Sequence, residues 1–342
     1  MAQYSRLEVL GEVIRQGLIP LAYTPDVEAM KKLVTASYEG GCRLFEFTNR
    51  GDNAIWVFTD LVRHVRQEMP GLMLGAGSIL DTGTASLYMS SGADFIVGSV
   101  FNPDLARVCN RRKVAYMPGC GTATEISVAE EHGVEIVKVF PGAAAGGPGF
   151  VSAILAPTPW TKVMVTGGVE DNPESINAWF KAGVVAVGMG SGLFKKAWVT
   201  EGRYDQISQA VASVLKWIRQ ARGEKMDYHL EHVGIHPREQ GSAREIANWY
   251  AAAFGLRVVE GNSSFMLEGA RGGRIEVVKA AQAGQVHLAI SVSDFDDAVA
   301  DLRSRGFEVE DPPRVGPTYK SAFLKTPDPA GHRVHILWMR AS

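Results

Sequence analysis

The sequence predicts a closed (β/α)8 barrel, the TIM-barrel architecture, followed by a smaller α+β domain. Three observations carry this. Eight short apolar runs alternate with amphipathic stretches from Arg6 to about Arg222. One of those runs, Ile136-Val137-Lys138-Val139-Phe140-Pro141, holds a single lysine and leads into the glycine-rich segment GAAAGGPG. The last third of the chain repeats itself. The domains expected are a barrel over 1–222 and a second unit over 223–342 that begins in earnest near Met226.

The apolar runs are IPLAYT (19–24), RLFEFTN (43–49), LMLGAGS (72–78), FIVGSV (95–100), VAYMPG (114–119), IVKVFP (136–141), KVMVTGG (162–168) and VAVGMGSG (185–192). Continuous apolar runs of this length suit strands buried on both faces of a parallel sheet. Between them, DVEAMKKLVTASYEGG starts on Asp26 with an acidic first turn and stops at glycines, as helices do. NPESINAWFKAG offers Asn172 as cap, Pro173 at the first position and Gly183 past the end. Strands alternating with helices at this spacing give βαβ units, and eight such units fit a closed barrel. An open doubly wound sheet is the runner-up, but no run is followed by a GxGxxG turn opening a helix.

Composition narrows the function. The 342 residues are 46% apolar and 21% charged, with a net charge of −2, which gives no reason to expect nucleic acid or an anionic membrane surface as partner. The first twenty residues carry charges at helical spacing, unlike a signal peptide, and no run is long enough to span a bilayer. Cys42, Cys109 and Cys120 show no CxxC spacing, so free thiols in a reducing cytoplasm are expected.

An ammonium inside a buried strand costs several kcal/mol unless it is paired or neutral. Desolvation lowers the pKa of such a lysine and makes it a nucleophile towards carbonyl carbon. Lys138 is therefore the candidate nucleophile; the alternative is a strand-edge lysine reaching solvent. Glu46, in the apolar run RLFEFT, points to the same interior and reads either as a proton shuttle beside Lys138 or as its structural ion-pair partner. Arg50 can hold a substrate carboxylate bidentately or stand as a solvated surface arginine. Polar and glycine residues gather at the C-terminal ends of the runs, where barrels place their chemistry. The seventh and eighth runs end Thr166-Gly167-Gly168 and Gly188-Met189-Gly190-Ser191, the position of the usual barrel phosphate site.

LFEFTNR, LGAGSILD, YMPGCGTATEI, VKVFPG, VTGGV and GSGLF, in that order, resemble the class I 2-keto-3-deoxy-6-phosphogluconate / 4-hydroxy-2-oxoglutarate aldolases over residues 5 to about 220. The resemblance implies a Schiff-base lysine at Lys138 and a general acid/base at Glu46. Arg50, Ser78 and Thr166 would contact the pyruvate-like half of the substrate. The backbone of Gly167, Gly168, Gly190 and Ser191 would hold the phosphate. It further implies cleavage of a 2-keto acid to pyruvate and an aldehyde without metal or other cofactor, as in Entner–Doudoroff sugar-acid breakdown, and a homotrimer. The chain departs from the family's usual pattern at Ser78, at Met189 and at the Gly98-Ser99-Val100-Phe101 end of the fourth run. A Lys138-independent phosphosugar isomerase barrel with a non-catalytic binding or assembly tail is the alternative.

In the tail, Glu231-His232-Val233-Gly234-Ile235 matches Val286-His287-Leu288-Ala289-Ile290, and GRIEVV (273–278) matches HRVHIL (332–337). Each half has a strand, an amphipathic helix and three further short strands. Paired βαβββ modules with HVGI, HLAISV and DPAGHRV resemble the vicinal-oxygen-chelate (glyoxalase/dioxygenase) superfamily. There the four repeat-equivalent positions ligate metal, which implies His232, Glu276, His287 and His335 as ligands. Imidazole and carboxylate suit divalent Zn, Ni, Mn or Fe. His229, His236 and His332 are expected at the surface. The tail then reads as a metal-dependent isomerase, epimerase or lyase of the same route, or as a metal-free module.

Overall fold

The computed structural model describes residues 2–224, 228–238, 242–269, 273–280, 285–316 and 319–339; the expected start near Met226 lies outside them. The chain forms two compact units, Met1–Glu224 and Lys225–Ser342.

In the first unit a nine-membered parallel sheet runs β5-β4-β3-β2-β1-β9-β8-β7-β6. Its strands are β1 Leu18–Ala22, β2 Leu44–Thr48, β3 Met73–Gly77, β4 Phe95–Val97, β5 Ala115–Met117, β6 Gly119–Cys120, β7 Val137–Val139, β8 Val163–Thr166 and β9 Ala186–Met189. β5 and β6 are one continuous stretch interrupted at Pro118, which has no N–H to give a ladder. Its carbonyls serve both sides: Met117 O accepts from Gly98 N at 3.1 Å and Pro118 O from Lys138 N at 2.9 Å. The two ends of the sheet therefore meet in this one stretch, and the eight expected strands close into a barrel. The open-sheet alternative is excluded.

The helices between the strands start where the sequence marks them. Asp26 caps Val27–Glu39 by accepting from the Glu28 and Ala29 amides, and Asn172 caps Pro173–Lys181 through Ser175 N. Ser5 and Glu8 form a reciprocal capping box on Arg6–Gln16. Every residue of β2 and β3 is buried, as expected of strands covered on both faces. Phe47, Phe58, Tyr88 and Tyr23 pack together, and Tyr88 donates to Asn49 Oδ1 at 2.9 Å. This cluster stiffens the end of β2, from which Thr48 and Arg50 emerge. No helix among the described residues is long and apolar enough to cross a membrane.

The second unit is an eight-stranded sheet in the order β11-β12-β13-β10-β14-β17-β16-β15. The strands are β10 Tyr228–Ile235, β11 Arg257–Glu260, β12 Ser264–Glu268, β13 Arg274–Val278, β14 Val286–Val292, β15 Arg314–Val315, β16 Tyr319–Phe323 and β17 Arg333–Met339. The two halves of the repeat are the two halves of this sheet. β10 pairs parallel with β13, β14 pairs parallel with β17, and β10 and β14 join them antiparallel at the centre. A helix packs on each half, Ala243–Phe254 with Phe265, Leu267 and Val277, and Phe295–Ser304 with Ala322 and Ile336. The paired βαβββ arrangement read from the repeat is thus what forms.

Candidate active site and metal centre

Lys138 at the middle of β7 and Glu46 at the middle of β2 are almost fully buried, at 4% and 1% exposure. Burial pushes the Lys138 ammonium below its usual range, with Arg50 acting in the same sense and Glu46 against it. Burial raises the Glu46 carboxyl, and Lys138 and Arg50 partly offset this. A neutral amine is the state needed for carbonyl attack, and a carboxyl whose pKa is raised is a stronger base for proton transfer. Lys138 Nζ lies 4.9 Å from the centre of the Phe140 ring. Glu46 Oε2 is buried without a hydrogen-bond partner among the described residues. Its carboxylate occupies the space a side chain at Gly77 would fill, and this explains the glycine on β3. Gly77→Ala is expected to displace Glu46 and lower kcat on the order of 10²-fold, with an unchanged far-UV circular dichroism spectrum; an undiminished kcat would show that Glu46 needs no such clearance.

A cavity of about 410 Å3 opens at the C-terminal ends of the strands. Arg50, Thr166, Gly167, Gly168, Gly190 and Ser191 all line it, together with Tyr23 and Phe140, which sequence reasoning missed. Gly167 and Gly168 have φ of +89° and +83°, a region open to glycine at little cost. Gly188 leaves room for the Thr166 hydroxyl, which is buried and unpartnered among the described residues. Lys138 and Glu46 are outside this lining; Phe140, in the wall, contacts Lys138. Ser78 lies just past β3 with φ +61° and is not in the wall either. A β-branched residue is strained at such an angle, so serine suits the position.

In the second unit the four central strands β13, β10, β14 and β17 each supply one of the expected ligands: Glu276, His232, His287 and His335. Ligand nitrogens of the three histidines lie within 4.8 Å of one another. Glu276 Oε2 stands 3.3 Å from His232 Nε2 and 3.2 Å from His287 Nε2. The two imidazole Nε2 atoms are 3.3 Å apart, and His335 Nε2 is buried with no hydrogen-bond partner among the described residues. Imidazole nitrogens gathered around one carboxylate oxygen, with one of them buried and orphaned, form an arrangement that a shared cation would satisfy. Burial and the neighbouring imidazoles hold His335 down to about 4, so it is present as the neutral, ligating form. The residues fit a divalent ion.

Behind the ligands stand groups the sequence reading did not assign. Glu231 hydrogen-bonds His232 Nδ1 and is itself held by Arg274 Nη1 at 2.6 Å. His236 was expected at the surface; instead it is half-buried, with Nε2 3.3 Å from His287 Nδ1. Carboxylate and imidazole partners of this kind fix the tautomer and orientation of ligating histidines. Gly234 clears the space the His287 ring occupies.

Fold and site together define a barrel with a buried lysine–carboxylate pair and a glycine-rich cavity at the strand ends, followed by a module with a convergent three-histidine, one-glutamate cluster. The comparisons give the family. The model for KDPG and KHG aldolases matches residues 11–210, and the chain belongs to that family. The model for the glyoxalase/bleomycin resistance protein/dioxygenase superfamily matches residues 240–336. The 2-dehydro-3-deoxy-phosphogluconate aldolase of Haemophilus influenzae is 27% identical over 63% of this chain and 99% of its own length. The aldolase of the same name from Treponema pallidum is 34% identical over 46% of this chain and 73% of its own. In fold, KDPG aldolase of Legionella pneumophila superposes with a TM-score of 0.55 at 24% identity, covering 59% of this chain and 96% of that one.

Proposed function

We propose that the barrel, residues 1–222, is a Schiff-base aldolase that cleaves a 2-keto-3-deoxy-6-phospho sugar acid, such as 2-keto-3-deoxy-6-phosphogluconate, to pyruvate and glyceraldehyde 3-phosphate. 4-Hydroxy-2-oxoglutarate is a second substrate of the same chemistry. The observation that carries this is the buried Lys138–Glu46 pair, in a chain of the aldolase family.

The neutral Lys138 amine adds to the C2 ketone, and the carbinolamine hydroxyl takes up one proton, which hydrolysis later returns, and leaves as water to give a cationic iminium. That cation accepts the electron pair of the C3–C4 bond as it breaks. Glu46 takes the C4 hydroxyl proton through water, and the aldehyde departs. The same carboxyl then protonates C3 of the pyruvate enamine, so the proton moves from oxygen to carbon with no net change. Hydrolysis releases pyruvate and restores the amine. Arg50 holds the substrate carboxylate, with Ser78 and Thr166 as further contacts to the pyruvate-like half. The amides of Gly167, Gly168, Gly190 and Ser191 hold the phosphate. No step requires a metal. Pyruvate release across a panel of 2-keto-3-deoxy sugar acids tests the reading: phosphorylated acids should have the higher kcat/KM, and no release from any of them would favour a phosphosugar isomerase.

We further propose that residues 223–342 form a metal-dependent isomerase, epimerase or lyase domain serving the same sugar-acid route. His232, Glu276, His287 and His335 would hold a divalent Zn, Ni, Mn or Fe ion, which would supply Lewis-acid polarisation of adjacent substrate oxygens. Glu231 and His236 orient His232 and His287. The purified full-length protein is expected to carry about one divalent ion per chain by elemental analysis, and His232→Ala with His287→Ala should empty it. Metal-free protein after growth in supplemented medium would make the module a binding or assembly domain. The reading includes a cytoplasmic location, which suits three buried free cysteines, and a homotrimer, which rests on the family.

A further inference from the structure

Beside the histidine cluster is a cavity of about 380 Å3 whose wall includes Glu276, His287 and His335 together with Arg314, Arg333 and Phe323. The charges in this wall are distributed to one side. Arg333 precedes His335 by two residues on β17, so both side chains stand on the same face of the strand. Arg314 on β15 pairs in register with Ser321, and Phe323 on β16 pairs with His335. The Phe323 ring links them: its centre lies 3.9 Å from the Arg333 guanidinium carbon, 5.8 Å from that of Arg314 and 4.8 Å from the His335 ring centre.

The repeat sharpens the point. Arg274 is the counterpart of Arg333 in the first half, two residues before Glu276. It is committed to Glu231 at 2.6 Å and Glu268 at 3.4 Å and is absent from the cavity wall. Among the described residues, Arg333 has one carboxylate partner, Glu310, at 3.1 Å, and Arg314 makes no ion pair. Among the described residues, the one acidic side chain in the wall is Glu276, a candidate metal ligand. The cavity therefore joins a cation-binding cluster to a guanidinium pair on the second-half side only.

Building on the metal-centre reading above, we propose that this cavity binds an oxygen-rich organic acid, a hydroxy- or oxo-carboxylate. Its carboxylate sits on Arg314, with Arg333 beside it, and its neutral oxygens face the histidine cluster. A planar guanidinium with free N–H groups recognises a carboxylate bidentately. Arg314 is the specificity-determining residue. Arg333, braced by Glu310 and by Phe323, keeps the aromatic wall against which the ligand lies.

The test uses the full-length chain carrying Lys138→Ala, so that oxo acids cannot react in the barrel. It is loaded with Mn(II) and followed by the electron paramagnetic resonance spectrum of the ion, which is blind to binding elsewhere. Pyruvate and glycerate are titrated beside their methyl esters. The acids should perturb the spectrum at concentrations at least about tenfold lower than the esters, and Arg314→Gln should remove that difference while leaving Mn(II) affinity unchanged. Rescue by Arg314→Lys should be partial, because a point charge replaces a fork. Equal response to acids and esters, or an Arg314→Gln spectrum identical to that of the parent, would overturn the carboxylate site and leave the metal centre standing. Failure to bind Mn(II) at all would overturn both.

Discussion

Lys138→Ala is expected to lower kcat for pyruvate release by at least about 10⁴-fold, the scale of losing the group that forms the covalent intermediate. Other side chains of the site leave the C2 ketone without an electron sink. The variant should still fold. A buried amine is lost, and the remaining Glu46, which burial already drives towards its protonated form, can stay neutral rather than as an unpaired charge. Thermal unfolding and circular dichroism separate inactivation from misfolding. Release of pyruvate by the folded variant at near the parent rate would assign the barrel to Lys138-independent chemistry.

The second large effect is at Glu46. Glu46→Gln should slow turnover roughly 10²–10⁴-fold, as removal of a general acid–base does, yet still form the iminium with pyruvate. The pH profile supplies a second readout. Burial raises the Glu46 pKa above the ordinary carboxylate range, so its proton-accepting form is lost as pH falls through that raised value. The acid limb of kcat should therefore lie at higher pH than a solvated carboxylate would give, and the variant should lack it. Parent-like turnover would reduce Glu46 to a structural partner of Lys138.

Much of this was legible because burial leaves a simple mark on a strand. A lone lysine in IVKVFP and a lone glutamate in RLFEFT stand out against apolar neighbours, and both prove buried. The repeat likewise located His232, Glu276, His287 and His335 on four central strands, since matching segments of a duplicated module take matching positions in its sheet. What stayed hidden depends on three-dimensional clearance. Gly77 reads as a turn residue until the Glu46 carboxylate is seen in the space beside it. The division of the fifth run at Pro118 follows from a missing N–H, while its role in closing the barrel appears only once both of its neighbours are placed.

The partners of the ligating histidines were hidden for another reason. Along a regular strand, adjacent residues face opposite sides, so Glu231 should point away from the face that His232 occupies. The β10–β14 register shifts between Leu230 and His232, and a bulge of this kind re-aims a side chain. Glu231 thereby reaches His232 Nδ1. His236 lies one residue past the end of β10, where strand alternation no longer predicts direction, and it turns to His287.

The central claim is a covalent bond between Lys138 and the 2-keto acid. Incubating the full-length protein with pyruvate and borohydride, then digesting it and sequencing the peptides by mass spectrometry, tests that claim most directly. A reduced pyruvyl adduct is expected on the peptide containing Lys138, formed in the presence of EDTA and absent from Lys138→Ala. An adduct on another lysine, such as Lys162, or no adduct while cleavage proceeds, would contradict it.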